Sequence, residues 1–342
     1  MSSIRESISK VIAGSDLTET EARMSMSEIM RGGATPSQIA SFLTALRMKE
    51  ETVDEIAAFA TTMREHARRI RPRLTSPLVD TCGTGGDSLK IFNVSTIAAL
   101  VISGTGLAVA KHGNRSFTSK CGSADILERF GVNLQAEPEL VKSSIEEVGI
   151  GFMFAPLFHS GFGNATVPRR EIGIRTVFNL LGPLTNPAEA KIQLLGVYDD
   201  ALTGKMAKVL RKLSVERAMV VHGLDGLDEI SIIGKTHVVR LQDNEIYDEI
   251  LTPGSFGLER RKFEEIAAPL DVEDQVLTTF KILNDSTTNS EREKGVKEMI
   301  LMNASAVLVI SGKAKDYIEG MEIARESLES GKTLDKLSLK MT

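Results

Sequence analysis

The residues best suited to chemistry lie in three short polar segments, each of which directly follows a run of apolar residues. The first, residues 80–87, reads Asp-Thr-Cys-Gly-Thr-Gly-Gly-Asp and precedes a predicted helix that begins near Ser95 and Thr96. Glycines allow backbone N–H groups to approach an anion closely, while the helix N-terminus and the two hydroxyls donate hydrogen bonds to it. This pattern predicts a loop that binds phosphate.

Two familiar phosphate-binding motifs do not describe this loop. It lacks the Gly-Lys-Ser/Thr ending of nucleoside triphosphatases, and Ser88 occupies the position where a dinucleotide-binding motif needs its third glycine. A Gly-rich turn alone is structural as often as it is functional. The prediction therefore depends on the segments beside it.

The second segment, residues 111–116, reads Lys-His-Gly-Asn-Arg-Ser and follows the next predicted strand. It places two cations, Lys111 and Arg115, beside small polar donors. Because the carboxyl ends of parallel strands share one edge of a sheet, this loop should lie beside the first. Two such loops favour a single ligand with several negative charges, and a solvated surface turn is the alternative.

The third segment is acidic: residues 222–229 read His-Gly-Leu-Asp-Gly-Leu-Asp-Glu. Magnesium prefers oxygen ligands, keeps several waters and bridges to substrate phosphates. The adjacent carboxylates of Asp228 and Glu229 suit this ion, although such a pair is usually only solvated surface. Beside two phosphate loops, the pair predicts a magnesium site that serves a polyanionic substrate.

From Leu78 onwards, short apolar runs alternate with amphipathic helices, a pattern typical of an α/β domain with a mostly parallel central sheet. Ligands of such sheets bind beyond the carboxyl ends of the strands, where all three polar segments are expected. The predicted strands are 78–81, 107–110, 151–154, 192–197 and 217–221, and the predicted helices are 95–103, 124–130, 138–148 and 202–213.

The first seventy residues are predicted to form a small helical domain without chemistry of its own. Pro36 suits a first helical position, because its missing N–H would have no partner there in any case. Three capping boxes mark the starts of three helices, namely Thr18 with Glu21, Thr35 with Gln38, and Thr52 with Glu55.

The overall composition excludes several classes of protein. A chain of 342 residues suits one large domain and a smaller one, and its net charge of −5 argues against general nucleic-acid binding. The sequence begins with polar residues and contains no apolar run of roughly 18 residues. A cytoplasmic location is therefore expected. Its only two cysteines, Cys82 and Cys121, are too few for a disulfide framework or a zinc site.

Five groups of residues together resemble the signatures of the anthranilate phosphoribosyltransferases. They occur in order along almost the whole chain, which makes a chance match untenable. The groups are Gly-Thr-Gly-Gly-Asp at 83–87, Asn-Val-Ser-Thr at 93–96, Lys-His-Gly-Asn-Arg at 111–115 with Gly-Ser-Ala-Asp at 122–125, the run from Gly-Ile-Arg-Thr to Thr-Asn-Pro at 173–187, and Asp-Gly-Leu-Asp-Glu at 225–229.

The resemblance implies the fold of class III phosphoribosyltransferases and nucleoside phosphorylases. The helical domain would comprise residues 1–72 with an excursion near 165–185 that returns to it, and the α/β domain residues 73–342. A homodimer through the helices is also implied.

The implied reaction moves the phosphoribosyl group of 5-phosphoribosyl 1-pyrophosphate to the amine of anthranilate. It gives N-(5-phosphoribosyl)anthranilate and pyrophosphate, a step of tryptophan biosynthesis. No side chain is implied with certainty as catalytic, because stabilisation of the leaving pyrophosphate would be the main task. Two magnesium ions per subunit are implied.

The resemblance assigns most of the polar loop residues to one of the two substrates or to the metal. Phosphoribosyl pyrophosphate would contact Gly83, Gly86, Asp87, Ile91, Asn93, Val94, Ser95, Thr96, Lys111, His112, Gly113, Asn114, Arg115, Ser116, Phe117, Thr118, Ser119 and Ser123. Anthranilate would contact Gly83, Asn114 and Arg169, whose guanidinium would pair with the substrate carboxylate. Magnesium would be held near Ser95 and by Asp228 and Glu229.

The sequence departs from the family pattern at two places. Ile91 stands where the family usually has Thr, and residues 160–164, Ser-Gly-Phe-Gly-Asn after His159, replace a Pro-Ala-Met-Lys-like segment. The second change lies beside the expected acceptor site. Gly161 and Gly163 are therefore expected to loosen the pocket and to admit ring-substituted anthranilates.

Three alternatives remain open at this stage. One is a phosphoribosyltransferase of the same fold with a different aromatic acceptor. Another is an enzyme like the pyrimidine nucleoside phosphorylases, although their Lys-His-Ser-Thr-Gly-Gly loop is absent from residues 111–116. The third is a non-catalytic relative that binds nucleotide or nucleic acid, against which the net charge and the pair Asp228 and Glu229 argue.

Overall fold

The computed structural model describes residues 4–86, 89–115, 122–269, 271–284 and 290–338. It begins with four helices, the last three of which start at the predicted capping boxes. In each box the threonine accepts a hydrogen bond from the third helical N–H, and the Glu or Gln accepts one from the threonine N–H. The bundle helices are α1 (Ile4–Ile12), α2 (Glu19–Met30), α3 (Pro36–Lys49) and α4 (Val53–Glu65).

The remainder of the chain forms a seven-stranded sheet covered by helices, and the predicted mostly parallel architecture is confirmed. The spatial order is β3-β2-β1-β4-β5-β6-β7, in which the first five strands are parallel and the last two antiparallel. The strands are β1 (Val79–Gly83), β2 (Val109–Gly113), β3 (Ile150–Phe154), β4 (Ile192–Gly196), β5 (Arg217–Gly223), β6 (Thr236–Gln242) and β7 (Glu245–Leu251).

The hairpin of β6 and β7 was not predicted. Its turn residues Asp243 and Asn244 have φ values of 53° and 64°. Two left-handed residues are what a two-residue hairpin turn requires, and Asp and Asn tolerate them. The Asp-Asn pair was therefore the local signal for this hairpin.

Three predicted strands ended too early. Lys111, His112 and Gly113 are the last residues of β2 and not the start of the following loop, because they continue the pairing with β3. In the same way β1 extends to Gly83 and β5 to Gly223. Polar and glycine residues end these strands, so the apolar pattern stops before the hydrogen-bonded ladder does.

Helices cover both faces of the sheet. The longest, α13, is mostly buried from Gly295 onwards and packs against α5 and α14, which makes it the centre of the larger apolar core. The helices are α5 (Val94–Gly104), α6 (Ser123–Arg129), α7 (Pro138–Glu147), α8 (Ala155–Phe158), α9 (Thr166–Ile172), α10 (Val177–Leu184), α11 (Leu202–Lys212), α12 (Val272–Leu283), α13 (Glu291–Ser311), α14 (Tyr317–Glu329) and α15 (Lys332–Ser338).

Two of these helices pack against the N-terminal bundle. α9 contacts α3, and α10 contacts α4, where Val177 and Leu181 join the same apolar core as Phe42 and Phe59. A short 3-10 helix, Ser160–Ala165, connects α8 to α9 and contacts α2. Among the described residues, none of the helices combines the length and the apolar content needed to cross a membrane.

Candidate active site

The carboxyl ends of β1, β4 and β5 meet where the strand order reverses, the position at which open α/β sheets bind ligands. Gly83 pairs with Gly196 across this point. A Cβ on Gly83 would lie 2.5 Å from Asp228 Oδ2, and one on Gly196 would overlap the Asp228 backbone carbonyl. The two glycines therefore allow the acidic loop after β5 to lie directly on the strand ends.

Backbone N–H groups of the first segment and of the first turn of α5 bind the two predicted carboxylate ligands of the metal. The Gly85 N–H donates to Asp228 Oδ2 at 2.9 Å, and the Ser95 N–H donates to Glu229 Oε1 at 3.2 Å. Burial raises the pKa of Asp228, and the hydrogen bond from Gly85 partly opposes that shift. Gly85 and Gly86 have φ values of +63° and +82°, which only glycine adopts readily. The Gly-rich turn (residues 83–86) and the acidic loop after β5 (within residues 222–229) thus form one structure.

Lys111 lies beneath this structure and is only 3% exposed. Its Nζ donates to the Thr81 carbonyl and, at 3.2 Å, to Ser95 Oγ. Burial lowers the pKa of Lys111, while the buried Asp80 carboxylate opposes that shift. The Lys111 ammonium faces inward toward the start of α5. The alternative interpretation of this residue as part of a solvated surface turn is therefore wrong.

The end of the second segment, residues 114 and 115, forms a hydrogen bond and ion pairs with α6. Ser123 Oγ donates to the Asn114 carbonyl at 3.1 Å. The Arg115 guanidinium forms ion pairs with Asp125 and Glu128, each at 2.8 Å, and these partners hold the pKa of Arg115 above its ordinary value. Arg115 therefore lies on the surface of α6 in this conformation.

The remaining predicted donor-site residues surround the start of α5. Thr96 Oγ1 donates to Asn93 Oδ1 at 2.7 Å, and the Val94 N–H donates to the Phe92 carbonyl within the core. Ile91 forms an isolated antiparallel bridge with Ala267. The predicted residues Asp87, Ser116, Phe117, Thr118 and Ser119 lie outside the described residues.

Two buried histidines connect the second segment to the region of the predicted acceptor site. The ring centroids of His112 and His159 are 5.1 Å apart, and the Nε2 atom of each is buried without a hydrogen-bond partner. Burial lowers the pKa of both imidazoles, that of His159 to about 4. Both rings are therefore neutral near pH 7. Sequence reasoning did not select His159.

Arg169 lies in a corner formed by two aromatic rings. Its Cζ is 5.0 Å from the ring centroid of Phe162 and 5.4 Å from that of Phe178. Burial lowers the pKa of Arg169 to about 10, so the guanidinium stays protonated near neutral pH. A half-buried cation at this position suits a ligand carboxylate.

Packing against the end of α2 explains why residue 161 is a glycine, which the sequence alone did not indicate. A Cβ on Gly161 would lie 2.5 Å from the Met30 carbonyl oxygen, so the space that its missing side chain leaves is filled by the end of α2. Asn164 Nδ2 donates to the Ile29 and Met30 carbonyls at 3.0 and 3.2 Å. Gly161 therefore serves docking and adds no free volume to the pocket.

Sequence reasoning also missed Arg175 and Tyr198. The Arg175 guanidinium donates to the Gly86 carbonyl, and its Cζ lies 4.2 Å from the ring centroid of Tyr198. The Tyr198 N–H donates to Thr84 Oγ1 at 3.1 Å. Arg175 and Tyr198 thus stabilise the Gly-rich turn, in addition to its hydrogen bond with Asp228. The position of Arg175 within the signature at 173–187 was the available signal.

Within the part of the chain that the structure describes, no group of three or more His, Cys, Asp or Glu side chains is arranged as a metal site. The predicted metal ligands among the described residues are Asp228, Glu229 and the hydroxyl of Ser95. All of them are oxygen donors, and they are too few to enclose a metal ion without a further ligand.

Comparison with known proteins identifies both parts of the chain. Residues 5–67 match the helical bundle domain of the glycosyl transferase family, and residues 75–334 match its α/β domain. The anthranilate phosphoribosyltransferase of Pelotomaculum thermopropionicum is 48% identical over 335 residues, which cover 98% of this chain and 94% of the relative. The anthranilate phosphoribosyltransferase of Geobacter sp. (strain M21) is 45% identical over 347 residues, which cover 98% of this chain and 97% of the relative.

Solved structures agree with these relatives. The anthranilate phosphoribosyltransferase of Thermus thermophilus superposes with a TM-score of 0.90 at 40% identity, covering 98% of both chains. The Saccharomyces cerevisiae enzyme in complex with PRPP and Mg gives a TM-score of 0.89 at 29% identity, covering 98% of this chain and 96% of that one. The yeast enzyme in complex with 4-fluoroanthranilate gives a TM-score of 0.87 at 28% identity, covering 98% of this chain and 95% of that one. The chain therefore belongs to the glycosyl transferase family and, within it, to the anthranilate phosphoribosyltransferases.

Proposed function

We propose that the protein transfers the phosphoribosyl group of 5-phosphoribosyl 1-pyrophosphate to the amine of anthranilate. The products are N-(5-phosphoribosyl)anthranilate and pyrophosphate, as in tryptophan biosynthesis. The observation that carries the proposal is the pair of hydrogen bonds from Gly85 and Ser95 to Asp228 and Glu229. It combines an anion-binding turn, a helix N-terminus and two carboxylates in one site.

The diphosphate of the donor is proposed to lie on the Gly-rich turn and the N-terminus of α5. Glycine at positions 83, 85 and 86 permits close approach of backbone N–H groups to the phosphates, and Ser95 and Thr96 add hydroxyl donors. The inward ammonium of Lys111 contributes positive charge directly beside the Ser95 hydroxyl. Residues 112–119 and Ser123 would complete the donor site.

Magnesium fits the donor set that the chain provides. Asp228, Glu229 and Ser95 offer only oxygen atoms, and magnesium is usually held by one or two carboxylates together with substrate phosphates. When bound, the metal would neutralise the charge that develops on the leaving pyrophosphate. The yeast relative in complex with PRPP and Mg supports this assignment. We propose two ions per subunit, one near Ser95 and one on the two carboxylates.

Anthranilate is proposed to contact Gly83 and Asn114 and to place its carboxylate against Arg169. The aromatic amine is weakly basic and largely unprotonated near pH 7, so its lone pair attacks the anomeric carbon without a general base. The C–O bond to pyrophosphate breaks as the C–N bond forms, and the protonated nitrogen then loses its proton to solvent. Positioning the amine supplies much of the remaining rate enhancement. The yeast relative in complex with 4-fluoroanthranilate supports an acceptor of this class.

The division of the chain and its assembly are part of the same proposal. We place the helical domain at residues 1–72 with the returning excursion at 165–185, and the α/β domain at 73–342. Contacts of α9 with α3 and of α10 with α4 support the excursion. We also propose a homodimer through the helices, an interface that could cover the exposed apolar side chains of Ile12 and Met48. A cytoplasmic location completes the proposal.

Release of pyrophosphate from phosphoribosyl pyrophosphate, measured with and without anthranilate, tests the activity. We expect release that depends on both anthranilate and magnesium. Release with another aromatic amine but not with anthranilate would assign a different acceptor. Phosphorolysis of uridine would assign a nucleoside phosphorylase, and the absence of turnover with every pair of substrates would indicate a binding protein.

A further inference from the structure

Phe162 lies between Gly161 and Gly163 in the short segment after His159, and its ring lies beside the Arg169 guanidinium. We infer that Phe162 is a positioning residue for the acceptor: its ring, together with Phe178, holds the Arg169 guanidinium in the orientation that meets the acceptor carboxylate. This inference rests on the proposed function, because it requires the acceptor to be a carboxylate that binds at Arg169.

The geometry around Arg169 restricts the guanidinium in two directions. Its Cζ lies 5.0 Å from the Phe162 centroid and 5.4 Å from the Phe178 centroid, within the range of about 6 Å over which a cation is attracted to an aromatic face. The two rings are 5.3 Å apart and inclined by 79°, so they form the two walls of a corner. A cation in such a corner cannot swing toward either ring.

Contact with aromatic faces is compatible with binding of a carboxylate. A guanidinium stacks through its flat face, whereas it binds a carboxylate through N–H groups that lie in its plane. The rings also offset part of the hydration that Arg169 loses on burial, the loss that lowers its pKa to about 10. Aromatic rings can therefore hold the cation in place while the N–H edge of the guanidinium faces the acceptor.

The position of Phe162 is itself fixed by its neighbours. Gly161 lies directly against the Met30 carbonyl, and Asn164 Nδ2 donates to the same carbonyl at 3.2 Å. The Phe162 N–H donates to the His159 carbonyl at 3.0 Å. The short segment is thus attached to α2 on both sides of Phe162, which leaves its ring little freedom to move away from Arg169.

Steady-state kinetics of Phe162→Leu and Phe162→Tyr test the inference. Leu removes the aromatic face, so we expect the KM for anthranilate to rise about fivefold to tenfold, with kcat and the KM for phosphoribosyl pyrophosphate within about twofold of wild type. Tyr keeps the face and should keep the KM. If Phe162→Leu and Phe162→Tyr raised the KM equally, a packing role would replace the positioning role.

A double-mutant cycle with Arg169→Ala separates this inference from the proposed function. If Arg169→Ala left the KM for anthranilate unchanged, the proposed acceptor contact would be wrong whatever Phe162 does. If Arg169→Ala raised the KM and Phe162→Leu then raised it further by the same factor as in wild type, only the positioning role would fail. We expect Phe162→Leu to have no additional effect in the Arg169→Ala background.

Circular dichroism and thermal melting establish that each variant is folded. Should Phe162→Leu fail to fold, Phe162→Met takes its place in the cycle, because the flexible methionine side chain fills apolar space but has no aromatic face. We expect the same loss of anthranilate affinity from Phe162→Met. A wild-type KM in this variant would overturn the inference.

Discussion

The Gly85 N–H donates a hydrogen bond to Asp228 Oδ2 at 2.9 Å across a separation of 143 residues. The bond joins the turn after β1 to the loop after β5, two segments that sequence reasoning had assigned separately to phosphate and to metal. The conformation of either loop therefore depends on the other. Substitutions in either loop should impair the same step.

The first prediction concerns the two carboxylates. Asp228→Ala combined with Glu229→Ala should lower kcat on the order of 100-fold or more, because the leaving pyrophosphate loses its metal-borne stabilisation. The thermal melting temperature should change little by comparison. Turnover is measured across a magnesium titration, with the exposed Glu245→Ala as the matched control. Near wild-type turnover of the double variant at every magnesium concentration would remove the metal assignment.

A second prediction concerns Gly83. Because its Cβ would lie 2.5 Å from Asp228 Oδ2, Gly83→Ala should displace the carboxylate and weaken binding of phosphoribosyl pyrophosphate about tenfold or more. Gly163→Ala is the control, since its Cβ would meet nothing within 4 Å. Titration calorimetry with magnesium present measures both affinities. Equal affinities for the two variants would contradict the steric argument.

The sequence predicted the parts of the site that depend on local chemistry. Capping boxes located three bundle helices, and glycine, hydroxyl and carboxylate patterns at strand ends located the Gly-rich turn and the acidic loop. The family resemblance drawn from those segments is confirmed by the comparisons. The residue assignments within the site stay predictions.

The features that sequence reasoning missed depend on contacts between distant parts of the chain. Arg175 meets Gly86 across 89 residues, and Gly161 meets the end of α2 across more than a hundred. Neither contact has a periodic or compositional signal. Gly161 was therefore interpreted as a source of flexibility, whereas the structure shows close packing against a carbonyl. Local patterns predict which residues bind, and tertiary packing decides what holds them in place.

The third prediction concerns recognition of the acceptor carboxylate. Charge-assisted hydrogen bonds contribute about 1.5–3 kcal/mol, so Arg169→Ala should lower kcat/KM for anthranilate by roughly tenfold to a hundredfold. Affinity for phosphoribosyl pyrophosphate should barely change. Aniline, which lacks the carboxylate, should be a poor substrate of wild type and unaffected by the mutation. Efficient use of aniline by wild type would contradict a carboxylate contact.

The fourth prediction concerns stability and pH. His237 bridges Asp200 and Asp248, its Nε2 lying 2.9 Å from Asp248 Oδ1. Burial alone would lower the pKa of His237, but the hydrogen bonds to the two carboxylates outweigh it and raise the pKa. Because the folded-state pKa exceeds the unfolded value of about 6.5, the stabilisation is fully present below that pH and is lost as pH rises through the folded pKa.

His237→Gln should therefore reduce the melting temperature more at pH 5.5 than at pH 8.5. The measurement is thermal unfolding of wild type and variant across this range, with His66→Gln as the control because His66 has no carboxylate partner among the described residues. A difference in melting temperature that did not change with pH would show that protonation of His237 contributes nothing to stability.

The last prediction concerns the side chain that holds the Gly-rich turn from outside. Arg175 donates to the Gly86 carbonyl while its guanidinium stacks on Tyr198, whose N–H in turn donates to Thr84. Arg175→Ala removes both contacts, so the turn should spend less time in the conformation that presents its N–H groups to the diphosphate. We expect affinity for phosphoribosyl pyrophosphate to fall about fivefold to fiftyfold, or about 1–2.3 kcal/mol. This is less than the full range of about 1.5–3 kcal/mol for a hydrogen bond from a charged group, because Arg175 is exposed to solvent.

Arg175→Lys distinguishes the two contacts, because lysine keeps a donor for Gly86 but cannot stack as a planar guanidinium does. The exposed Arg170→Ala is the control for loss of one positive charge near the site. Calorimetric affinity and hydrogen exchange of residues 83–86 are measured on all three variants. If Arg175→Ala and Arg170→Ala weakened binding equally, without faster exchange in the turn, Arg175 would act only through its charge. Faster exchange confined to Arg175→Ala would show that the arginine orders the turn before the donor binds.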